Sequence, residues 1–479
     1  MKNKLILICL LLISCKNPIK EYFENSYCIE NTNIIDAKQG LETNMTIVIS
    51  GNKIIRVEKA KDLRLSNKNI IYNGSGKYII PGLWDSHVHF AFEKKLAGSM
   101  FNLFIAYGIT SVRDTGGEIN FLKDLKSKSK SNPDNYPRVK IAGPLIDGKH
   151  NVYNGNSVYF PPLSIRTASV VETEIKVNKL IKDGVDFLKA YEMLSPEQFE
   201  AITNIAKENG LKVTGHIPLS MDAISTSNMG LNSIEHLRNL EMSSTADTKG
   251  LLKLRRNALK NKNRIQGSDL RTSIHNSQRM SSIKKTDSAE LKRVLNVLAK
   301  NETWQIPTLI LYRGWAYKLY EDSEWKNTFE FLPVEIKEKW NNQIALISNQ
   351  ENKELQDFSN WSQSITKMMN KLDIKFMAGT DSPIGFQTPG YSLHNELEMF
   401  VNFGFTNLEA LEAATYNPAS YFNMEKDLGL IKVGQIADLV ILSRNPLEDI
   451  SNTKEIESVI KNGHLMNRKY LDSLLRDQI

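Results

Sequence analysis

Short apolar segments alternate with longer amphipathic segments through the middle of the chain. Eight of them have the length and composition of buried strands. They are Ile79–His89, Ile109–Asp114, Val139–Gly143, Val185–Tyr191, Lys212–His216, Ser233–His236, Gln305–Leu311 and Lys375–Asp381. Alternation of strands and helices predicts an α/β fold with a parallel sheet, and eight repeats predict a (β/α)8 TIM barrel.

The two ends of the chain have a different pattern. Short strands with turn signals, such as Gly51-Asn52, follow one another in residues 29–78, and the same pattern returns at Ala437–Leu442 and Ser458–Gly463. We therefore expect a small β-sandwich domain built from residues 29–78 and 423–479. It flanks the predicted barrel, residues 79–422.

A long polar insertion, residues 241–300, follows the sixth predicted strand. It is rich in Ser, Asn and Lys, and its length and composition suit a mobile lid. Between Lys249 and Arg293 it contains thirteen basic and three acidic residues. Such a run is most often a solvated helical face, although an anionic membrane surface or an acidic ligand would also match it. No recognition motif accompanies it, so we expect no nucleic-acid partner.

The N-terminus predicts export from the cytoplasm. Lys2 and Lys4 precede the apolar run Leu5–Ile13, which is too short to span a bilayer and suits a secretory signal over residues 1–14. The run ends in Leu12-Ile13-Ser14-Cys15, which resembles a bacterial lipoprotein processing site. We therefore expect a lipid on Cys15, a tether over residues 15–28, and a place in the cell envelope on the periplasmic or outer-membrane face. A plain signal peptide or a membrane anchor is the alternative.

Cysteine content limits the chemistry that the chain can use. Of Cys9, Cys15 and Cys28, the first leaves with the signal and the second is lipidated, so only Cys28 remains. A single cysteine forms no intrachain disulfide and no thiolate cluster for a metal. Any metal site must therefore use histidine and carboxylate side chains. The net charge of +7, with 24% charged and 41% apolar residues, is ordinary for a globular protein.

The predicted strands end in residues of the metal-ligand type. His87 and His89 alternate along the first strand, so both point to one side, at the end where barrel active sites lie. Other strand ends contribute Lys189, His216, His236 and Asp381. Each of these could be structural by itself. Together they are poorly explained as core residues, because burying unpaired charge is costly.

Lys189 decides how many metals the site would hold. A protonated lysine repels a cation, whereas a carbamate formed with carbon dioxide is an anionic ligand with two oxygens. A carbamate on Lys189 predicts two divalent ions roughly 3.5–4 Å apart. An ordinary lysine predicts one ion at most.

Seven segments in this order resemble the amidohydrolase superfamily, especially its branch of imidazolonepropionase-like proteins and Xaa-Pro dipeptidases of the prolidase type. They are Ile80–His89, Gly108–Asp114, Gly215–Pro218, Ile234–Leu237, Gly379–Asp381, Leu411–Ala419 and Gly434–Val440. The resemblance implies that His87, His89 and Asp381 hold the more buried metal. His216 and His236 would hold the other, and carboxylated Lys189 would bridge the two. A hydroxide bridging the metals would attack the substrate carbonyl, with Asp381 as general base and then general acid.

Substrate contacts are harder to place. The loop Gly143–Tyr153 departs from the glycine- and histidine-rich loop of prolidase-type members, so dipeptide specificity stays open. His150 and Tyr153 are its candidate substrate residues, and a solvent-facing position is the alternative for both. His394, after the eighth strand, is a third candidate, and helix packing explains it equally well.

Three functions follow from these patterns. The first is a binuclear amidohydrolase that cleaves an amide or peptide C–N bond in a small molecule, such as a dipeptide or an N-acyl amino acid. The second is a mononuclear deaminase or cyclic-imide hydrolase, and the third is a surface binding protein without catalysis. Histidine and carboxylate ligands favour zinc, although manganese or cobalt also fits. Membrane contact is expected through the lipid only, and a homo-oligomer is left open.

Overall fold

The computed structural model describes residues 20–260, 266–347 and 351–476. Within them the strands are β1 (Ser26–Asp36), β2 (Gly40–Ser50), β3 (Lys53–Lys59), β4 (Ile70–Asn73), β5 (Tyr78–Pro81), β6 (Leu83–Val88), β7 (Ile109–Asp114), β8 (Arg138–Ile141), β9 (Leu145–Asp147), β10 (Ser164–Arg166), β11 (Leu188–Ala190), β12 (Val213–Gly215), β13 (Ser233–Glu235), β14 (Trp304–Ile306), β15 (Leu439–Leu442), β16 (Ile456–Lys461) and β17 (His464–Asn467).

The helices of the described residues are α1 (Ala97–Ala106), α2 (Ile119–Ser131), α3 (Val170–Asp183), α4 (Pro196–Glu208), α5 (Ala223–Asn228), α6 (Leu240–Ser243), α7 (Thr248–Leu259), α8 (Gly267–Lys284), α9 (Ser288–Lys300), α10 (Leu309–Tyr317), α11 (Ser323–Asn327), α12 (Val334–Leu346), α13 (Lys353–Asn370), α14 (Tyr391–Asn402), α15 (Asn407–Ala413), α16 (Tyr416–Tyr421) and α17 (Arg468–Arg476). Short 3-10 helices cover Leu319–Glu321, Thr328–Phe331, Ile384–Phe386 and Ile450–Lys454. No helix in the described ranges is long and apolar enough to cross a membrane.

The barrel strands run parallel and close into a ring. β6, β7 and β8 form one ladder, and β9, β11, β12, β13 and β14 form a second, in which β10 adds an outer strand beside β9. The ring closes through residues 375–382, where Met377 N donates to Gln305 O at 3.0 Å and Asp381 N donates to His87 O at 2.8 Å. The predicted (β/α)8 barrel is confirmed.

Of the eight predicted barrel strands, only Ile109–Asp114 keeps its predicted bounds, and the eighth, Lys375–Asp381, forms an isolated bridge from Phe376 to Gln305 instead of a regular strand. The segment Ile79–His89 divides at Gly82, because a Cβ there would lie 2.3 Å from Thr110 Oγ1 and only glycine permits that approach. Its first part, β5, joins the terminal domain and its second part, β6, joins the barrel. The third strand bends at Gly143 (φ +71°) into β8 and β9.

The seventh predicted strand, Gln305–Leu311, is only half correct. β14 ends at Ile306, and α10 begins at Leu309 after Thr308 adopts a left-handed backbone with φ 46°. The apolar run therefore continues as a buried helix instead of a strand. Apolar periodicity over so few residues does not distinguish these two states.

Both chain ends build one β-domain, as the sequence predicts. Its strands form a single hydrogen-bonded sheet in the order β17-β16-β15-β5-β1-β2-β3, with β4 parallel to β1. Val440 of β15 lies opposite Ile80 of β5, which joins the C-terminal strands to the N-terminal ones. Helix α17 then returns to the barrel, where Leu471 and Leu475 enter the main core.

The beginning of the described chain is more ordered than the tether expected over residues 15–28. Glu21 already bridges Leu65, and β1 begins at Ser26, because its alternating apolar residues pair with β2. Cys28 is buried in this sheet as a free thiol. The expected signal over residues 1–14 and the lipidated Cys15 lie outside the described residues.

The polar insertion is helical and packed where it is described. α7, α8 and α9 occupy most of it, and Leu270 and Ile274 of α8 pack in one cluster with Leu145 of β9 and with Leu219. The insertion therefore covers the end of the barrel where the strands finish, and it buries an apolar face in doing so.

Candidate metal centre

The six residues expected as metal ligands meet at the carboxyl end of the barrel. Each is at most 6% exposed; five lie in a barrel strand or directly after one, and the sixth lies in the ring-closing segment 375–382: His87, His89, Lys189, His216, His236 and Asp381. Parallel strands bring such positions to one edge of the ring. Local strand alternation and the barrel topology thus explain the cluster.

Imidazole nitrogens converge on the carboxylate of Asp381. Its Oδ1 lies 3.1 Å from His87 Nε2 and 3.3 Å from His89 Nε2, and its Oδ2 lies 3.9 Å from His236 Nε2. The ring centroids of His216 and His236 are 5.1 Å apart. Ligand atoms of His87, His89 and Asp381 all fall within 4.8 Å of one another, close enough to share one ion.

Each of the four histidines uses its Nδ1 to contact a hydrogen-bond acceptor. The acceptors are Glu235 Oε2 for His87 (2.5 Å), Gly116 O for His89 (3.0 Å), Glu192 Oε1 for His216 (2.7 Å) and Thr308 Oγ1 for His236 (2.6 Å). Thr308 donates its own proton to Pro307 O, so it accepts from His236. These partners place the ring proton on Nδ1 and leave the Nε2 lone pair facing the centre.

That tautomer makes the centre suitable for a cation. With protons on Nδ1, Nε2 of His87 and His89 and the Asp381 carboxylate are all acceptors, at distances at which acceptors repel unless a cation lies between them. His89 Nε2 also has the Thr115 hydroxyl at 3.2 Å, whereas His216 Nε2 is buried and has no hydrogen-bond partner in the described residues. Histidines oriented through their second nitrogen are typical of metal sites.

Burial keeps these groups in the protonation states that a metal requires. It lowers the pKa of His216 to about 3 and the pKa of His236 well below its usual value, so both rings are neutral. Burial alone would raise the pKa of Asp381, whereas positive charge at His87 and His236, or a cation held between them, keeps it well below its usual range. Asp381 is therefore a carboxylate.

Lys189 is a buried amine close to His87. It is 1% exposed, its Nζ lies 3.4 Å from His87 Nε2, and it forms no salt bridge with a carboxylate of the described residues. Burial lowers the pKa of Lys189 to about 8, which increases the fraction of neutral amine. The neutral amine is the form that reacts with carbon dioxide.

A second carboxylate, Glu235, contacts the Nδ1 side of the His87 ring, opposite the nitrogen that faces the centre. Its Oε1 accepts from Arg113 Nη2 at 2.6 Å, so Arg113 pairs with Glu235 and holds it against the ring. Burial alone would raise the pKa of Glu235, but Arg113 and His87 hold it well below its usual range. This arrangement fixes the tautomer of a ligand at the centre of the cluster.

Backbone strain accompanies these side chains. His236, Thr308 and Asp381 have left-handed φ values of 62°, 46° and 66°, although none is glycine. Such conformations cost roughly 1–3 kcal/mol each and persist where the surrounding structure holds them in place. His236 and Asp381 point their side chains toward the centre in this conformation, and Thr308 places its hydroxyl against His236 Nδ1.

The three candidate substrate residues, His150, Tyr153 and His394, lie in three different parts of the structure. A cavity of about 70 Å³ contains Tyr153 together with five of the expected ligands, and Tyr191, Arg238 and Arg271 also line it. His150 faces a different cleft, of about 860 Å³, next to Arg256. His394 is buried away from the cavity, since Nδ1 contacts Thr453 Oγ1 at 2.9 Å and Nε2 contacts Tyr107 O at 3.0 Å. The structure thus supports the helix-packing interpretation of His394.

Several residues of the site were not identified from the sequence. Glu192, Glu235 and Thr308 orient the histidines, and Arg238 and Arg271 line the cavity. Glu235 directly precedes His236, and Glu192 follows Lys189 by three positions, so each stands beside a recognised ligand. Arg271 has no such neighbour in the sequence.

The model of the amidohydrolase family matches residues 78–466. The chain belongs to the amidohydrolase family. This match confirms the resemblance seen in the sequence, and it includes every expected metal ligand. Members of this family typically bind metal ions, which agrees with the cluster of His87, His89 and Asp381. Family membership supports a metal-dependent hydrolase that acts on C–N bonds.

Solved structures repeat the fold of this amidohydrolase. A Xaa-Pro dipeptidase with bound methionine in its active site has a TM-score of 0.67 and 21% identity, with 92% of this chain and 100% of that chain covered. A prolidase complexed with N-methylphosphonate-L-proline has a TM-score of 0.65 and 20% identity, with 92% and 100% covered. At these identities the likeness establishes the fold.

One curated sequence relative is a deaminase. An adenine deaminase of Clostridium perfringens is 25% identical over 199 residues, which are 40% of this chain and 33% of that protein. The matched region therefore spans about a third of the length of the curated relative.

Proposed function

We propose that this amidohydrolase binds two divalent metal ions and hydrolyses an amide or peptide C–N bond in a small molecule, such as a dipeptide or an N-acyl amino acid. The observation that carries the proposal is the set of four buried histidines whose Nδ1 atoms are all engaged. His89, His216 and His236 line one cavity with Asp381 and Lys189, and His87 Nε2 lies 3.1 Å from Asp381 Oδ1 and 3.4 Å from Lys189 Nζ. A site that only filled the core would not need four rings held in one tautomer.

The ligands divide into two sets. His87, His89 and Asp381 would hold one ion, because their ligand atoms already lie together. His216 and His236 would hold the second, and a carbamate on Lys189 would contribute one oxygen to each. Neutral imidazoles and carboxylates suit zinc, and manganese or cobalt would also be accepted.

Bound metals would supply Lewis-acid polarisation of the substrate carbonyl and a water of lowered pKa. Asp381 is placed to accept the proton of the attacking water at a carboxylate oxygen and to return it to the leaving amine nitrogen. Its low pKa leaves it unprotonated at neutral pH, as a proton acceptor must be. The buried cavity limits access of bulk water during this transfer.

A mononuclear deaminase is the second candidate, and the match to an adenine deaminase is the observation that favours it. In that case the ion held by His87, His89 and Asp381 would suffice, and Lys189 would stay an amine. The two candidates differ in metal stoichiometry and in their response to bicarbonate.

For the location, we propose a cell-envelope protein anchored by a lipid on Cys15. The support is the order of basic residues, apolar run and cysteine at the N-terminus. The anchor would hold the barrel at a membrane surface without a membrane-spanning helix.

A hydrolysis screen tests the proposed activity. Metal-loaded protein is incubated with a library of dipeptides, N-acyl amino acids and aminopurines, and released amine and ammonia are measured separately. We expect a primary or secondary amine product from a carbonyl-bearing substrate, and loss of that activity after chelation. Ammonia release from aminopurines alone would favour the deaminase.

A further inference from the structure

We propose that Arg238 and Arg271 form a subsite beside the metal ligands that binds a carboxylate of the substrate. The inference rests on the proposed function, because it names the substrate class of the same site. It predicts that the amide bond cleaved belongs to a molecule with a free carboxylate.

Both guanidinium groups face the cavity that holds the metal ligands. Arg238 follows His236 by two positions, whereas Arg271 comes from α8 of the polar insertion. Their side chains are 16% and 11% exposed, and both line the cavity of about 70 Å³ with His216 and Asp381. A group bound by these arginines would thus lie next to the reacting atoms.

The positive charge of this pair is not balanced by its neighbours. The nearest carboxylate is Glu192, whose Oε1 lies 3.4 Å from Arg238 Nη1 and 3.9 Å from Arg271 Nη1. Tight charge-assisted pairs are about 2.7–2.9 Å apart. Glu192 is also shared with His216 at 2.7 Å and His275 at 3.0 Å. One carboxylate thus faces two side chains that stay charged at every relevant pH.

Each arginine also keeps an unused donor. The Nε atoms of Arg238 and Arg271 are buried without a hydrogen-bond partner in the described part of the chain. Because these Nε atoms have no accessible surface, a ligand in the cavity would accept from the Nη ends of the two guanidinium groups instead. A carboxylate presents two oxygens to a guanidinium fork and would satisfy this geometry.

The two side chains are held in position before any ligand binds. Arg271 Nη1 donates to Tyr191 Oη at 3.2 Å, and its guanidinium lies 5.4 Å from the centroid of the Phe160 ring. Arg238 Nη2 donates to Tyr312 Oη at 2.8 Å. Anchoring of this kind reduces the entropy lost on binding and is typical of a built recognition site.

Matched substrates that differ only in charge test the subsite. For an N-acyl amino acid and its neutral carboxamide, we expect the wild type to prefer the carboxylate. In Arg271→Met, kcat/KM for the carboxylate should fall about 10- to 100-fold, with much less change for the carboxamide. Arg238→Met should behave in the same way, and Arg271→Lys should keep part of the preference. Arg279→Met is the matched control, because Arg279 is a partly buried arginine of α8 that pairs with Glu241 and does not line the cavity.

Direct binding separates this inference from the proposed function. Calorimetry on the metal-loaded protein compares an amino acid with its amide, as product analogues that need no turnover. Selective binding of the carboxylate, lost in Arg271→Met or Arg238→Met, supports the subsite even if no amide is hydrolysed. Equal binding of both molecules, no binding of either, or an equal fall for both substrates in the variants overturns it, even if hydrolysis is observed.

Discussion

Glu192 Oε1 lies 2.7 Å from His216 Nδ1, and the opposite nitrogen of the same ring is buried without a hydrogen-bond partner in the described residues. The carboxylate therefore fixes the ring proton on Nδ1 and turns the Nε2 lone pair toward the centre of the site. In metal proteins, such supporting contacts typically change metal affinity by 10–100-fold.

Glu192→Gln tests this relationship. The amide keeps the shape of the side chain but carries no charge to hold the ring proton on Nδ1, so we expect the affinity for the metal on the side of His216 to fall about 10- to 100-fold. The other ion, on the side of His87, should be retained. Competition with a chromogenic chelator measures both affinities. Glu197→Gln is the matched control, because Glu197 is exposed in the first turn of α4, close to Glu192 in the sequence. Two unchanged affinities in Glu192→Gln would contradict the orienting role.

Lys189→Ala removes the proposed bridging ligand. We expect the bound metal to fall from two ions per chain to one or fewer, and turnover to be lost. Wild-type protein that is stripped and reloaded should recover activity faster with bicarbonate than in buffer freed of carbon dioxide. Elemental analysis and activity are measured on the same samples, with Lys182→Ala, an exposed lysine, as the control. If activity returns at the same rate with and without bicarbonate, Lys189 is not carboxylated.

How much of the site is visible in the sequence depends on how local each feature is. His87 and His89 could be predicted because strand alternation and barrel topology fix both their direction and their end of the sheet. Gly82 shows the opposite case, since the division between β5 and β6 depends on its contact with Thr110 from another strand. That contact is tertiary, so the division of the segment cannot be predicted from its apolar pattern.

The arginine cluster could not be predicted for a related reason. Arg271 lies in a polar insertion whose composition is typical of a solvated face, yet it is largely buried against Tyr191 and Phe160. Its position depends on residues roughly a hundred positions earlier in the chain. In the same way, Thr308 orients His236 only because β14 ends two residues earlier and the backbone turns there.

Glu396 predicts a pH dependence of stability away from the metals. Burial raises its pKa from 4.5 to about 8, although the backbone N–H groups of Ile310 and Leu309 lower it in part. A raised carboxyl pKa gives stability that is fully present below pH 4.5 and is lost as the pH rises through about 8. The free energy of unfolding should fall in this window by at most about 1.4 kcal/mol per pH unit.

Urea unfolding of wild type and Glu396→Gln across this window checks the expectation. The variant should lose this part of the pH dependence, whereas Glu354→Gln, at an exposed position, should follow the wild type. Parallel curves for wild type and Glu396→Gln would show that Glu396 does not hold its proton in the folded state.

Cys15→Ser tests the proposed lipid anchor. Without the thiol the lipid cannot be attached, so the protein should move from the membrane fraction to the soluble fraction of the cell envelope. Fractionation followed by mass analysis of the N-terminal peptide measures both location and modification. Cys28→Ser is the control, because Cys28 is buried in the β-domain. A Cys15→Ser protein that stays with the membrane would point to a different attachment.

The most direct test of the binuclear site is metal content measured together with hydrolysis. Protein purified without chelators is analysed for metal per chain, stripped in steps, and assayed at each step on the best substrate from the screen. We predict two ions per chain in the fully active protein and loss of hydrolysis as the ions are removed. Full activity with one ion per chain, or with none, would contradict a binuclear amidohydrolase.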